Sequence, residues 1–322
     1  MSAKTQAPTS EQAVDRRSFL TVATSAMATA AIPLAASSKV RAQTEIADTK
    51  STSNTARLEK RSPQLWQVTI ANPPFNLVVP EMVSALHSVV KDMGNDHDVK
   101  VLLVKSATDG FFINHFDLTK AQDFPMEAAD PPLPTWTDLV LRLSKSPVIS
   151  IACVRGRTRG GGNEFSLACD LRYASREKAQ FGQPEVGAGI LPGGGGSERL
   201  PRLVGRDRAL EIILSSQDYG ADDAEKFGLV TRALPDIELD SYVEALASRL
   251  CGFDKQALAA AKAQVNRATL PPDADLLAAY AEYSASLAWP GFKTRRPRMA
   301  KLAAEHGADV ELRLGHYLGL AN

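Results

Sequence analysis

Three consecutive glycines, Gly160 to Gly162, interrupt the stretch PVISIACVRGRTRGGGNEFSLACDLRYAS, between the apolar runs PVISIACV and FSLAC. Glycine costs little where backbone must pass close to another group or turn sharply, and it weakens the interior of a helix or strand. Three in a row therefore end one element and begin another. Before them, PVISIACV reads as a buried strand. After them, EFSLAC reads as a short helix and DLRYAS and AQFG as strands. A buried strand that feeds a helix through glycines restricts the chain to a mixed α/β fold. At this level two readings of the glycines stay open. They form a tight strand-to-helix turn, or they present N–H groups at a helix N-terminus to an anionic group beside Glu164.

The same alternation recurs along the chain. LWQVTI has strand character and NPPFN closes it as a turn, while Val79 to Met93 carries apolar residues at helical spacing up to Gly94–Asn95. VKVLLV is a buried strand, DGFFINHFDL a loop leading into a helix, ADPPLP a surface excursion and TWTDLVLRLSKS an amphipathic helix. Glu185 follows Pro184, which predicts a rigid extended segment there. Pro192 to Gly196 lacks the Lys and Ser/Thr spacing of a phosphate loop and is expected to be a helix-entry turn. From Ala209 onward nearly everything reads as helix, broken at Gly220, Gly228 and Pro271–Pro272. The expectation is α/β, built of repeated strand–strand–helix units and a helical tail.

Residues 1–42 have the order of a twin-arginine export leader. Arg16–Arg17 and Phe19–Leu20 precede a small-residue apolar run, and Val40 and Ala42 occupy the small positions of a cleavage site. A periplasmic location is the expectation, with the cytoplasm as the alternative if the leader does not function. Residues 43–60 are polar and read as a linker. No later apolar run is long enough to cross a bilayer, so no membrane anchor is predicted. Lys plus Arg and Asp plus Glu each total 37, a balance that draws neither nucleic acid nor an anionic membrane surface. Cys153, Cys169 and Cys251 are far apart and in apolar contexts; they read as buried free thiols, with no disulfide framework and no metal site.

Glu164, Glu185 and the glycine backbone together satisfy the needs of acid–base chemistry next to a carbonyl, one carboxylate taking a proton from water and the other giving one to carbon. Two unrelated surface glutamates are the competing reading. The block from Ser146 to Gly205 resembles the central signature of the crotonase superfamily, the enoyl-CoA hydratases and isomerases. The similarity continues through RALEIILSSQDYGADDAEKFGLVTRALPD and extends back to LWQVTIANPPFN and VKVLLVKSATDGFFINHFDL, covering about residues 65–268. The resemblance implies a spiral of ββα units as a core over 61–255. It also implies a helical region over 256–322 that packs homotrimers, often paired as homohexamers. The small-molecule partner would be an acyl-CoA thioester, with enolate chemistry, no metal and no cofactor beyond the coenzyme A of the substrate itself.

Carried over residue by residue, the resemblance makes Phe116 and Gly161 the backbone oxyanion donors, and Glu164 and Glu185 the catalytic pair. His115, Gly160, Gly162 and Pro184 fall beside the substrate, and Asp117 is the acid that caps the next helix. There are departures. His115 stands where the family usually has Gly and Phe116 where it has a small residue, a pair expected to narrow the acyl pocket and to set His115 against a conformation that glycine allows. NPPFNLV has none of the basic residues that serve the nucleotide of coenzyme A, although FKTRRPR in the atypical tail is basic enough for a phosphate. Arg155, Arg157 and Arg159 either meet an anionic ligand or form a solvated cluster. The sequence thus points to hydration of an enoyl-CoA or the reverse dehydration. Isomerisation, C–C bond hydrolysis of a substrate without coenzyme A, and a non-catalytic exported scaffold are the alternatives.

Overall fold

The structure, a computed structural model, describes residues 54–130 and 132–321; the expected export leader, residues 1–42, and residues 43–53 lie outside the described residues. Chain order is β1 (Ala56–Lys60), β2 (Leu65–Ile70), α1 (Pro80–Asn95), β3 (Val101–Ser106), β4 (Phe111–Ile113), β5 (Met126–Glu127), β6 (Leu133–Pro134) and α2 (Thr135–Lys145). There follow β7 (Ile149–Val154), β8 (Arg157–Arg159), α3 (Gly161–Ala168), β9 (Leu171–Ser175), β10 (Gln180–Gly182), α4 (Glu185–Ala188), α5 (Gly196–Val204) and α6 (Arg206–Ser215). The chain continues through β11 (Asp218–Gly220), α7 (Ala221–Phe227), β12 (Arg232–Leu234), α8 (Asp236–Cys251) and α9 (Lys255–Thr269). It ends in α10 (Asp273–Ser286), α11 (Pro290–His306), α12 (Asp309–Leu312) and α13 (Leu314–Leu320).

The first sheet has the order β1-β2-β3-β7-β9-β12, parallel except for the β1–β2 pair. Both faces of its centre are covered, and this is why VKVLLV and ISIACV are apolar without alternation. Along β3, Val101 and Leu103 join Ile151, Cys153 and the α8 residues Leu239, Val243 and Ala247 in one cluster. The intervening Leu102 and Val104 join the main core with Met82, Leu86 and Val89 of α1. The period-two geometry of a strand divides one apolar run between two cores.

A smaller sheet, ordered β11-β10-β8-β4, positions the site. Strands β4, β8 and β10 are parallel neighbours, so their C-terminal ends open on the same side. Ligands of open α/β sheets collect at such ends. Strand β4 leads to Asn114–His115–Phe116, β8 to Gly160–Gly161–Gly162, and β10 to Gln183–Pro184–Glu185.

Four sequence expectations need correction. The predicted linker ends too late, because residues 56–60 form β1, antiparallel to β2, with Ala56 and Leu58 buried beneath it. Glu185 is not in an extended segment: Pro184 has φ −84° and ψ −2°, and Glu185 opens the short helix α4. The region after Ala209 is mostly helical but also contains β11 and β12, each short and borrowed as an edge by an earlier strand. The cluster Arg155, Arg157 and Arg159 is neither solvated nor aimed at a ligand. Arg155 reaches Asp236 and Asp240, Arg157 donates to the Leu312 carbonyl, and Arg159, 1% exposed, forms a two-pronged pair with Asp218 at 2.7 and 2.6 Å.

Helix α1 is fastened to α2 by His87, whose Nε2 lies 2.7 Å from Asp138 Oδ2, while Arg142 engages the same carboxylate from the next turn. The tail docks through Val310, Leu314, Tyr317 and Leu318, packed on Ala188, Met299 and Leu302. Arg159 is central to this docking because it also donates to the Glu311 carbonyl at 2.6 Å. Removing one member of a buried charge pair leaves the other uncompensated. Replacing Arg159 by Met is therefore expected to lower stability by about 3 kcal/mol or more, checked by urea titration of the purified variant.

Candidate active site

Each of the three glycines has its own reason for lacking a side chain. Gly160 has φ +52°, and a Cβ there would press on Glu185 Oε1 and the His115 Cβ. A Cβ on Gly161 would overlap the Phe116 ring, and one on Gly162 would overlap the Ile113 carbonyl. Their N–H groups divide in the same way. Gly160 N–H donates to the Gly182 carbonyl at 3.0 Å and Gly162 N–H to the Asn114 carbonyl at 3.2 Å, stitching the turn to both neighbouring strands. Gly161 N–H, at the first position of α3, makes no hydrogen bond among the described residues.

Phe116 is left in the same condition by a different route. It forms an isolated parallel bridge with Val78, in which Val78 N–H donates to the His115 carbonyl at 3.0 Å and Asp117 N–H to the Val78 carbonyl at 2.9 Å. Phe116 N–H makes no hydrogen bond among the described residues. Asp117 caps the following turn by accepting from Thr119 N–H at 3.0 Å, as expected. His115 does not sit at positive φ; among the described residues only Asn76 and Ser216 do so without being glycine. The anticipated backbone conflict is absent because the bridge to Val78 holds this segment extended.

The two glutamates sit in unlike surroundings. Glu164 is 2% exposed, and its Oε1 accepts from the N–H groups of Gly194 and Gly196 at 2.8 and 3.0 Å. The Pro192–Gly196 turn, expected only to start a helix, thus also grips a carboxylate. Burial pushes the Glu164 carboxyl up, while those two N–H groups and the nearby Arg199 pull it back. For Glu185, burial and then the charge of Glu164 hold the carboxyl well above the usual range, and its Oε2 is enclosed without a hydrogen-bond partner. Neighbouring carboxyls driven apart in this way favour one ionised and one protonated group at neutral pH.

Both glutamates line a cavity of about 120 Å³, walled by Phe116, Phe124, Trp136 and Tyr283 among others. Phe116 packs edge-on against Phe124 and Trp136, each with ring centroids 4.9 Å away. Beyond Phe116, Tyr283 and Glu185 lies a second cavity of about 290 Å³, lined by His115, Pro184, Arg296, Glu311 and apolar residues of the tail. Phe116 therefore partitions the space rather than simply narrowing it. The structure brings together His115, Phe116, Gly160, Gly161, Gly162, Glu164, Pro184 and Glu185, but not the further ligand candidates Arg155 and Arg157. It adds Trp136, whose buried Nε1 has no hydrogen-bond partner, and Arg199, a buried cation behind the Gly194–Gly196 turn. It also adds Glu311 and Glu198, the latter pushed up to about 7 by burial and by Glu164. An arginine three residues past a glycine run was a usable signal for Arg199; Trp136 and Glu311 reach the site from distant segments and carried none. Arg295 of the basic tail motif instead binds the carbonyls of Gly187 and Leu318 at 2.6 Å each.

Unpaired N–H donors beside two unequal carboxyls, set at the ends of parallel strands, define an acid–base enzyme of carbonyl substrates. The family profile for enoyl-CoA hydratase/isomerase matches residues 36–287. A short-chain-enoyl-CoA hydratase of Clostridium acetobutylicum is 32% identical over 219 residues, 66% of this chain and 82% of that protein. A crystal structure from Streptomyces avermitilis is 39% identical, with a TM-score of 0.78 over 83% of this chain and 96% of its own. That of an enoyl-CoA hydratase from Mycobacterium avium subsp. paratuberculosis is 26% identical, with a TM-score of 0.66 over 74% and 93%. The chain belongs to the enoyl-CoA hydratase/isomerase family of the crotonase superfamily, and it is an enzyme.

A carboxyl whose folded pKa is raised stabilises the fold fully below its unfolded value, and that contribution is lost as pH rises through the folded value. Glu185 has such a carboxyl. Glu185→Gln removes the titration and is expected to raise the melting temperature, by about 2 °C for each kcal/mol relieved. The gain should be larger at pH 9 than at pH 5 in differential scanning calorimetry.

Proposed function

We propose that the protein adds water across the double bond of an enoyl-CoA thioester, and catalyses the reverse dehydration, with coenzyme A as part of the substrate. The observation that carries this reading is the pair of unequal carboxyls beside two unspent backbone donors. The thioester carbonyl oxygen accepts from Phe116 N–H and Gly161 N–H, which bear the negative charge that develops as the enolate forms. Glu164, held by Gly194 and Gly196, takes a proton from water while the hydroxyl adds to the β-carbon. Glu185, kept protonated, delivers a proton to the α-carbon. Hydroxyl and hydrogen are thereby added across the double bond, and proton exchange with solvent restores both carboxyls.

Retention of both carboxyls supports hydration over isomerisation, C–C hydrolysis or an idle scaffold, and the hydratase name of the Clostridium relative supports it independently. A space of about 120 Å³ is on the scale that holds a benzene-sized group, which suits a short acyl chain. Trimeric or hexameric assembly through the C-terminal helices is supported by α9, whose only buried residue is Lys262, and by exposed Leu214 and Val265. Export through the Arg16–Arg17 leader would place the folded enzyme in the periplasm, a reading that cell fractionation decides.

The test is loss of enoyl absorbance with crotonyl-CoA, together with calorimetric binding of free coenzyme A. Turnover is expected, and Glu164→Gln should reduce kcat about a thousandfold without unfolding the protein. Near-wild-type turnover of Glu164→Gln would falsify the mechanism. Absence of both turnover and coenzyme A binding would move the substrate to a class without coenzyme A.

A further inference from the structure

The structure gives each ring nitrogen of His115 an acceptor. Nδ1 lies 2.9 Å from the Phe116 carbonyl oxygen and Nε2 lies 3.1 Å from Glu311 Oε2. An imidazole can serve both only by donating from both nitrogens, as the charged imidazolium. Glu311 comes from α12, almost at the end of the chain, and its Oε2 also accepts from Asn114 Nδ2 at 2.9 Å. Behind it, Arg159 and Arg157 hold the carbonyls of Glu311 and Leu312. The tail therefore grips both residues that immediately precede Phe116.

We propose that Glu311 is a positioning residue for the reaction: it holds His115 so that the ring, through the Phe116 carbonyl, fixes the backbone that presents the Phe116 N–H. The inference rests on the oxyanion role given to Phe116 above. Hydrogen-bond accounting supports it. The His115 carbonyl accepts from Val78, Asp117 N–H donates to Val78, and the Phe116 carbonyl accepts from His115. Of the four polar groups on the two peptides that flank Phe116, only the Phe116 N–H is left for a substrate. Without the His115 contact, the peptide between Phe116 and Asp117 loses the bond on its carbonyl side. Small rotations of a donor matter, because misplacement by about 1 Å can cost on the order of a hundredfold in rate.

The charges facing His115 are Glu311 from α12, Arg159 from β8, Glu185 from α4 and Arg296 from α11. Burial lowers the imidazole pKa, but the charge and hydrogen bond of Glu311, with the Phe116 carbonyl, outweigh it and leave it raised against the opposing Arg159. Burial raises the Glu311 carboxyl, but His115 and Asn114 bring it below the usual range. The strut therefore holds above the lowered carboxyl pKa of Glu311 and is lost as pH rises through the raised imidazole pKa of His115.

Four proteins compared with crotonyl-CoA across pH 5–10 test this: the wild-type chain, Glu311→Gln, His115→Gln and Glu164→Gln. Glu311→Gln should lower kcat about tenfold with KM within about twofold, and should move the alkaline fall in kcat to lower pH. His115→Gln should keep only the alkaline fall set by deprotonation of Glu185. Nitrogen-15 spectra should show His115 with two protonated nitrogens at pH 7 in the wild type and a lower pKa in Glu311→Gln. An inactive Glu164→Gln beside a Glu311→Gln of unchanged kcat and pH profile would overturn the strut while leaving the proposed reaction intact. A lower melting temperature for Glu311→Gln with no movement of the alkaline limb would overturn it too, by reducing Glu311 to a tail anchor. An active Glu164→Gln would instead remove the reading on which the inference rests.

Discussion

The site depends on how three adjacent peptide N–H groups are used at the end of β8. Two of them close the gaps to neighbouring chain segments, Gly160 to Gly182 and Gly162 to Asn114, and the one between them is left over. Backbone donors in a protein interior are almost always paired, since an orphan costs about as much as a lost hydrogen bond. The arrangement survives because the flanking bonds and the parallel register of β4, β8 and β10 leave Gly161 no other geometry. Side chains could not be tolerated here, because the Phe116 ring, the Glu185 carboxyl and the Ile113 carbonyl already fill the positions that Cβ atoms would take.

Around that backbone the electrostatics are arranged by asymmetry rather than by charge count. Glu164 receives two N–H donors and a buried arginine nearby, whereas Glu185 receives burial and a carboxylate neighbour. Neither arrangement favours folding. Enclosing Glu185 Oε2 without a partner costs stability that the two cores on either side of β3 must offset. The difference between the two carboxyls thus rests on which of them the Gly194–Gly196 turn can reach.

Much of this was legible from local text. The buried strands, the glycine turn, the Asp117 cap and both glutamates follow from short patterns whose physics is local. Where the reading failed, the deciding contact was remote. Strand β1 exists because Ala56 and Leu58 find a core under β2, which polar neighbours in sequence concealed. Glu185 is helical because the chain turns at once to bring Gly189 N–H back to Val186. Arg159 looked like one of three surface cations, yet its partners Asp218 and Glu311 lie 59 and 152 residues away. His115 looked like an obstacle to the backbone until the bridge to Val78 relieved it and Glu311 gave it a partner.

By itself the sequence determined the fold class, the family and the residues able to do acid–base chemistry, because apolar periodicity, glycine and carboxylate type act over a few positions. Tertiary structure alone decided which carboxyl is gripped by N–H donors and which is enclosed with an oxygen unpartnered. It also decided which backbone N–H groups go unspent, and that the last turns of the chain reach back to His115. Those outcomes depend on desolvation and on distances between segments far apart in the chain, and no local pattern encodes either.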